Sequence, residues 1–527
     1  MSSLLMGVET EYALSGFDAG GAGLSPATLA EKLLKNAFAR LTGIPTHHGR
    51  GLFLENGGLF YIDCGSHPEF CTPECEDPIE VVRYIRAGER TMRDLAESLR
   101  AGDRALHRTF VTRCNVDYSG SKNTWGCNES YGYRCRPVQM AEQLLPHLVS
   151  RIVYTGAGGF DPYSPGIVFS LSPRVFFLER KRSEDSTRTR GIVHRKNEPL
   201  CEGYNRLHLV CGESLCSDVA SWLKIGTTAL VVAMIDQGIL PAAGMNLSFP
   251  YRAMKAFSKD PACRASVSVN GGRETAISIQ RRYLEAAEAR LGGSFLPPWA
   301  EEVCKKWRAV LNDLEEDPSR VSGSLDWAIK KNLYDHRARL AGVDPAFYAV
   351  WNAVVPRLMS AVRRSPLRGK RVTVEEVLGR HTPIAVQEVI KRMTPLLERN
   401  GRSWDELRPL VDLRKELLEI DTRFSELSDD GIFEALDRAG VLRHRLVSPG
   451  EVERAVKSPP ERGRARIRGK AVRQLACEGR GHYLCDWDHL IDVQKNRVLD
   501  LSDPFAESEE WKPLADRLRL RERIFPF

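Results

Sequence analysis

Apolar and polar positions alternate through the opening residues LLMGVETEYAL, and the period of two predicts a strand. Between Ser25 and Arg40 the spacing becomes helical, with Ser25 as a cap ahead of Pro26. Gly58 to Cys64 (GLFYIDC) reads as a second strand, closed by a His-Pro turn. Pro78 to Leu99 carries Val81, Val82, Ile85, Met92 and Leu95 on related turns and predicts a helix. Phe110 to Asp117, Gly166 to Leu171 and Arg206 to Cys211 read as further strands, and Ser217 to Gln237 as a long helix. From about Leu284 to Ala439 the pattern is helical almost throughout, including Pro298–Glu315, Ser324–Leu340 and Val372–Arg399. From Ser448 a short basic segment, ERGRARIRGKAVR, leads into a strand-like HYLCDW and a polar tail. Strands interleaved with helices over the first part predict an α/β or α+β catalytic domain.

Composition narrows the class. The chain has 527 residues, 42% hydrophobic and 28% charged, with a formal net charge of +7. That is a globular composition with a sizeable core, and the charge is too mild to mark a nucleic-acid binder. The longest apolar run, Thr227 to Ile235, falls far short of the ~20 residues of a spanning helix, so no membrane partner is expected. The opening residues lack a basic region ahead of an apolar stretch, which argues against a secretory signal. Thirteen cysteines without a CxxC pair predict reduced thiols and a cytoplasmic setting.

No phosphate-binding G-x-x-x-x-G-K-[ST] loop, dinucleotide fingerprint, zinc-protease motif or kinase signature is present. Three other constellations carry chemistry. Glu9 and Glu11 project from one face of the first strand, where a divalent cation would neutralise them; an exposed polar edge is the alternative. Tyr61 and Asp63 share a face of the second strand. A turn at Gly65 to Pro68 returns the chain to Glu69, which leaves a carboxylate positioned as base or nucleophile. His67, before Pro68, reads as a structural histidine. Arg206 and His208 share a third face, one suited to phosphate and the other to metal. The basic run Arg462 to Arg473 reads as a solvated face, or else as a contact for an anionic partner or ATP phosphates.

Together these segments resemble the Pup ligase and depupylase family (the proteasome accessory factor A type), within the glutamine-synthetase-like carboxylate–amine ligases. The blocks that carry the resemblance are MGVETEYAL, NGGLFYIDCGSHPEFCTPECEDP at Asn56–Pro78, AGERTMRDL at Ala87–Leu95, LLPHLVSRIVYTGAG at Leu144–Gly158 and YNRLHLVCGES at Tyr204–Ser214. LKIGTTALVV, SLDWAIKKNL and a late RGRARIRG…DWDHL…DPF follow in family order. The resemblance implies an α+β fold: a curved antiparallel sheet packed with helices over 1–445, and a small C-terminal domain over 446–527. It implies ATP and Mg²⁺ in the cradle of the sheet. The glutamate side chain of Pup, a small acidic modifier, would be activated as an acyl phosphate and joined to a protein lysine.

Residue by residue, the resemblance implies Asp63 as the catalytic base and Glu9, Glu11, Tyr61, Glu69 and His208 around the metals. Arg206, Arg174 and Trp487 would face the nucleotide, and Asn115, Glu129 and Glu198 the substrate. Departures accompany the match. The segment Leu41–Glu55 is short where the depupylase branch has a long loop, which favours the ligase branch. The family's His-Glu-Asn is Asn128-Glu129-Ser130, its Lys-Asn-Asn is Arg113-Cys114-Asn115, and its Thr-Arg-Asp-Glu-Pro-His is Arg195 to Leu200. A helical insertion is expected near Ala341 to Arg408. These differences lie toward the substrate side, so the modifier could be Pup, a Pup-like protein or a smaller glutamate-like compound. Two other activities stay open: transfer of the γ-phosphate without ligation, and depupylation or deamidation.

Overall fold

A computed structural model describes residues 4–119, 121, 123–183, 190–194, 203–343, 346–364, 373–378, 384–399 and 401–514. Nine strands form one sheet. From one edge to the other they are Arg180–Ser183, Gly191–His194, Asn205–Leu209, Cys127–Tyr133, Met6–Glu11, Pro68–Cys71, Leu59–Ile62, Gly51–Leu54 and Gly43–Pro45. Neighbours run antiparallel except at the first edge, where Arg180–Ser183 and Gly191–His194 are parallel. The opening strand therefore lies in the centre, with strands from later in the chain on both sides.

The period of two gives the sheet its two faces. Met6, Val8, Tyr131, Leu207 and Leu209 are buried with the helices Pro78–Gly102, Pro137–Ser150 and Asp218–Asp236. That last helix is the one described helix long and apolar enough to cross a membrane. Its apolar window is wholly buried inside the protein, and Ser217 caps it by accepting from the Ala220 amide. The predicted cap at Ser25 forms as well, and the Asp77 side chain caps the helix Pro78–Gly102 by accepting from the Ile79 amide.

The other face carries Gly7, Glu9, Glu11, Ser130, Arg206 and His208. Toward the Gly43–Pro45 edge it is covered. There Ile44, Phe53, Leu59 and Cys71 pack against Ile467, Val472 and Leu475 of the helix Gly463–Glu478, and against the four-stranded sheet Tyr483–Cys485, His489–Asp492, Arg497–Asp500 and Trp511–Pro513. The middle of this face stays open, and the predicted chemistry lies there.

A second core joins the helices Ala346–Arg363 and Ile384–Glu398 to Pro409–Phe424 through Trp351, Val355, Leu358, Leu410, Leu413 and Leu417. Asn352 ties this bundle to the rest of the chain: its side chain accepts from the Ile167 amide at 2.8 Å and donates to the Ile167 carbonyl at 3.0 Å.

Candidate active site

One row across the sheet gathers three of the predicted residues. Glu11 stands opposite Glu69, and Glu69 opposite Tyr61. Side chains directly opposite on adjacent strands lie within reach of one another. Asp63 joins from just beyond its strand, where the chain turns through Gly65 and Ser66 at φ of 79° and 65°. Gly65 takes this left-handed conformation without strain, while Ser66 carries a side chain in it. The Asp63 amide donates to the His67 carbonyl at 2.9 Å, which closes the turn. One carboxylate oxygen from each of Glu11, Asp63 and Glu69 lies within 4.8 Å of the other two.

Carboxylates this close repel, and the site registers the cost. Burial pushes the Glu69 carboxyl well above its ordinary range, and the charges of Glu9, Glu11 and Asp63 push it further. The Tyr61 hydroxyl donates to Glu69 Oε2 at 2.7 Å. Burial and the neighbouring Glu69 raise the phenol, so Tyr61 remains a neutral donor. Glu69 Oε1 is buried without a hydrogen-bond partner among the described residues. An orphaned buried carboxylate oxygen amid other carboxylates is the donor set a hard divalent cation would satisfy.

Glu9, whose charge also bears on Glu69, is itself held from the other side. Arg206 donates to Glu9 Oε1, and His208 Nε2 is 3.9 Å from Glu9 Oε2. Arg206 Nε donates to the Ser130 hydroxyl at 3.1 Å, and His208 Nδ1 is 3.3 Å from the same oxygen. His194 stands opposite His208, with ring centroids 5.7 Å apart. The open face thus has an acidic half and a cationic half that meet at Glu9. Beside them runs an open cleft lined by Glu9, Thr72, Ser130, Arg206, Arg464 and Trp487.

The remaining predicted residues lie farther out. Arg174 is buried and donates to the Val210 carbonyl at 2.9 Å, and its backbone amide is bound by Glu213. A Cβ on Gly126 would meet its guanidinium at 3.0 Å, and the Gly126 amide donates to Glu11 Oε2 at 2.7 Å. Arg174 therefore sits at the sheet end next to Glu11. Trp487 packs edge-on against Phe53 and under the Arg468 guanidinium. Asn115 is buried and bridges the Ser214 backbone, accepting at 2.8 Å and donating at 3.0 Å. Glu129 points to the helix-covered face and is held by both terminal nitrogens of Arg151. Asn115 and Glu129 are thus not brought together with the open face, and Glu198 lies outside the described residues.

Sequence reasoning missed several neighbours. Thr72 lines the cleft, and its hydroxyl accepts from the Val8 amide at 3.1 Å. Its place three residues after Glu69 was the available signal. His67 Nδ1 is 3.7 Å from Glu11 Oε2, and its ring lies beside Trp125. The solvated-face reading of the basic run is corrected. Arg464 and Arg468 are 0% exposed and both pair with Glu74, while Arg473 pairs with Glu55. Periodicity could not reveal their partners, which lie in an earlier segment.

The family model described as "Pup-ligase protein" matches residues 4–350 and 388–491. The chain belongs to the Pup-ligase family. The unmatched residues 351–387 fall within the expected insertion. Pup-family relatives match over nearly the whole chain. The Pup–protein ligase of Kineococcus radiotolerans is 30% identical over 521 residues, covering 97% of this chain and 98% of the relative. The Pup–protein ligase of Actinosynnema mirum is 29% identical, with the same coverage of both chains. The fold matches the Pup ligase PafA in its complex with Prokaryotic Ubiquitin-like Protein Pup, at a TM-score of 0.71 and 22% identity over 99% of this chain and 93% of that one. It also matches PafA in complex with ADP, at a TM-score of 0.66 and 21% identity over 96% and 95%. The α+β architecture expected from the sequence is the architecture of this Pup-ligase family.

Proposed function

We propose that this chain is an ATP-dependent ligase that joins the glutamate side chain of Pup, or of a Pup-like modifier, to a protein lysine. The observation that carries the reading is the convergence of Glu11, Asp63 and Glu69 beside an open cleft bounded by Arg206. Family membership and the near-complete coverage of Pup–protein ligases support it. We assign residues 1–445 to the catalytic domain and 446–527 to the small C-terminal domain, and the free state of every described cysteine fits a cytoplasmic setting.

In this reading Glu11 and Glu69 hold Mg²⁺, with Tyr61 supporting Glu69 and with Glu9 and His208 at the adjoining position. When bound, the ion neutralises phosphate charge at the site of transfer. The γ-phosphate of ATP passes to the modifier carboxylate, and ADP leaves. A lysine amine then displaces phosphate and forms the amide. Asp63 takes the amine proton. Arg206 meets the transferred phosphate with a planar fork of donors, and it must leave Glu9 to do so. Trp487 and Arg174 bound the nucleotide side.

The purified chain, given ATP, Mg²⁺, a glutamate-ended Pup-like peptide and a lysine donor, is expected to form ADP only with the peptide, and to yield an amide. Labelled phosphate retained on a protein, independent of the peptide and without amide, would replace ligation by phosphotransfer. Release of free modifier or ammonia would indicate depupylation or deamidation.

Cation binding carries a pH signature. The Glu69 carboxyl is raised in the folded chain by burial first and then by its acidic neighbours. A cation must displace its proton, so Mg²⁺ affinity should rise by up to about tenfold per pH unit while Glu69 is protonated. Calorimetry in buffers of different ionisation heat reads the released proton, and a pH-independent affinity without release would remove Glu69 from the cation site. Stability follows the same linkage. The folded chain keeps a proton that the unfolded chain has lost, so without metal Glu69 weakens the fold as pH rises above the unfolded value. Glu69→Gln should remove that decline, and Mg²⁺ should offset it in the unaltered chain alone.

A further inference from the structure

Two segments far apart in sequence meet at the sheet edge remote from the parallel pair. Thr46 forms a parallel bridge with Cys485, and just beyond it the His47 and His489 side chains face each other. Their Nε2 atoms are 2.7 Å apart and their ring centroids 4.9 Å. Asp486 adds a carboxylate, so that one ligand atom from each of the three lies within 4.8 Å of the other two. Behind His489, its Nδ1 contacts the Asp488 carboxylate. A carboxylate there holds the proton on Nδ1 and leaves the Nε2 lone pair directed at His47 and Asp486. Histidine ligands of metal ions are backed in this way, which fixes their tautomer and raises their basicity.

We propose that His47, Asp486 and His489 bind a borderline divalent transition-metal ion of the zinc class, at a site separate from the carboxylates of the open face. The donor atoms make the distinction. Two imidazole nitrogens and one carboxylate suit Zn²⁺ with a fourth position open to water, whereas three carboxylates suit Mg²⁺. Tetrahedral ligands at about 2.0–2.1 Å from zinc stand ~3.4 Å from one another. The two imidazoles need only part by a fraction of an ångström, and His47 lies on a half-buried turn rather than within a strand.

The site has a mechanical consequence. Trp487 lies between Asp486 and His489, so the ion would pin the turn that presents Trp487 to the cleft. This consequence rests on the nucleotide role proposed above for Trp487, whereas metal binding itself does not.

The test uses the full chain, stripped of metal and then held in excess Mg²⁺ to occupy the oxygen site. Titrated Co²⁺ should bind at one equivalent with the intense visible absorption of a four-coordinate site, lack the near-ultraviolet band of a thiolate ligand, and be displaced by Zn²⁺. His47→Ala and Asp486→Asn should each weaken Zn²⁺ binding at least tenfold, with thermal unfolding confirming that each variant folds. In the unaltered chain, which needs no variant, Zn²⁺ should protect His47 and His489 from diethyl pyrocarbonate, read by mass spectrometry. Absence of a Zn²⁺ equivalent under Mg²⁺, or binding that survives both substitutions and leaves both histidines reactive, would overturn the proposal and leave a histidine–histidine hydrogen bond. ATP affinity measured with and without Zn²⁺ tests the Trp487 consequence on its own. A several-fold loss without Zn²⁺ supports it, and no change removes it while leaving the metal site standing.

Discussion

Asp63→Asn is expected to lower the rate of amide formation by about 10²–10⁴-fold, the range for loss of a positioned general base. Nucleotide binding should change by no more than about twofold. The amide of asparagine keeps the size and hydrogen-bonding reach of the carboxylate, and the backbone contact from Asp63 to the His67 carbonyl does not involve the side chain. The turn should therefore survive. What disappears is the ability to accept a proton, and one negative charge next to Glu11 and Glu69. Losing that charge also reduces the repulsion that raises Glu69. Rates must consequently be compared at saturating Mg²⁺, so that a change in cation affinity is not mistaken for lost base catalysis. Single-turnover amide formation gives the rate, and ADP binding gives the control. Wild-type turnover in the variant would remove Asp63 as the base. A loss confined to the apparent Mg²⁺ affinity, recovered at high Mg²⁺, would make Asp63 a cation ligand instead.

The sequence disclosed this chemistry unevenly, and the unevenness has physical causes. Glu9 and Glu11 alternate within one strand, and Tyr61 and Asp63 likewise, so the period of two alone assigned each pair to a face. Which faces meet depends on strand register, and the alignment of Glu11 with Glu69 and Tyr61 requires pairing across residues distant in sequence. Family resemblance supplied that relation where local pattern could not. The hold of Arg206 on Glu9 was invisible for the same reason, because Arg206 enters from a strand nearly two hundred positions later. Glu129 shows the converse failure. The resemblance implies a place for it facing the substrate, yet the register directs it to the helix-covered face and onto Arg151. Helices were plainer: caps at Ser25 and Ser217 and the apolar spacing between them are local signals.

The basic run gives the other large expected effect. Glu74→Ala is expected to destabilise the folded chain by about 3–5 kcal/mol, the range for leaving the partners of a buried ion pair uncompensated. Arg464 Nε donates to Glu74 Oε1 at 2.7 Å, and Arg468 binds both carboxylate oxygens and the Gly57 carbonyl. Both guanidiniums are 0% exposed. Removal of Glu74 leaves two cations without their shared anion at the joint between the sheet and the helix Gly463–Glu478. The pair also sets an acid limit. Burial alone would raise the Glu74 carboxyl, but the charges of Arg468 and Arg464 outweigh it and bring its pKa down to about 2. A depressed carboxyl contributes stability above its unfolded value, near 4.5, and loses it as pH falls from there toward 2. Thermal unfolding followed from pH 7 to pH 3 should therefore decline more steeply for the unaltered chain than for Glu74→Gln, which starts lower and lacks this titration. Since Arg464 and Trp487 line the cleft and Arg468 lies over the Trp487 ring, ATP affinity should fall in the same variant even where it remains folded. Unchanged stability would mean that the arginines find water or new partners once Glu74 is gone. Unchanged ATP affinity in a destabilised variant would separate the joint from the nucleotide wall.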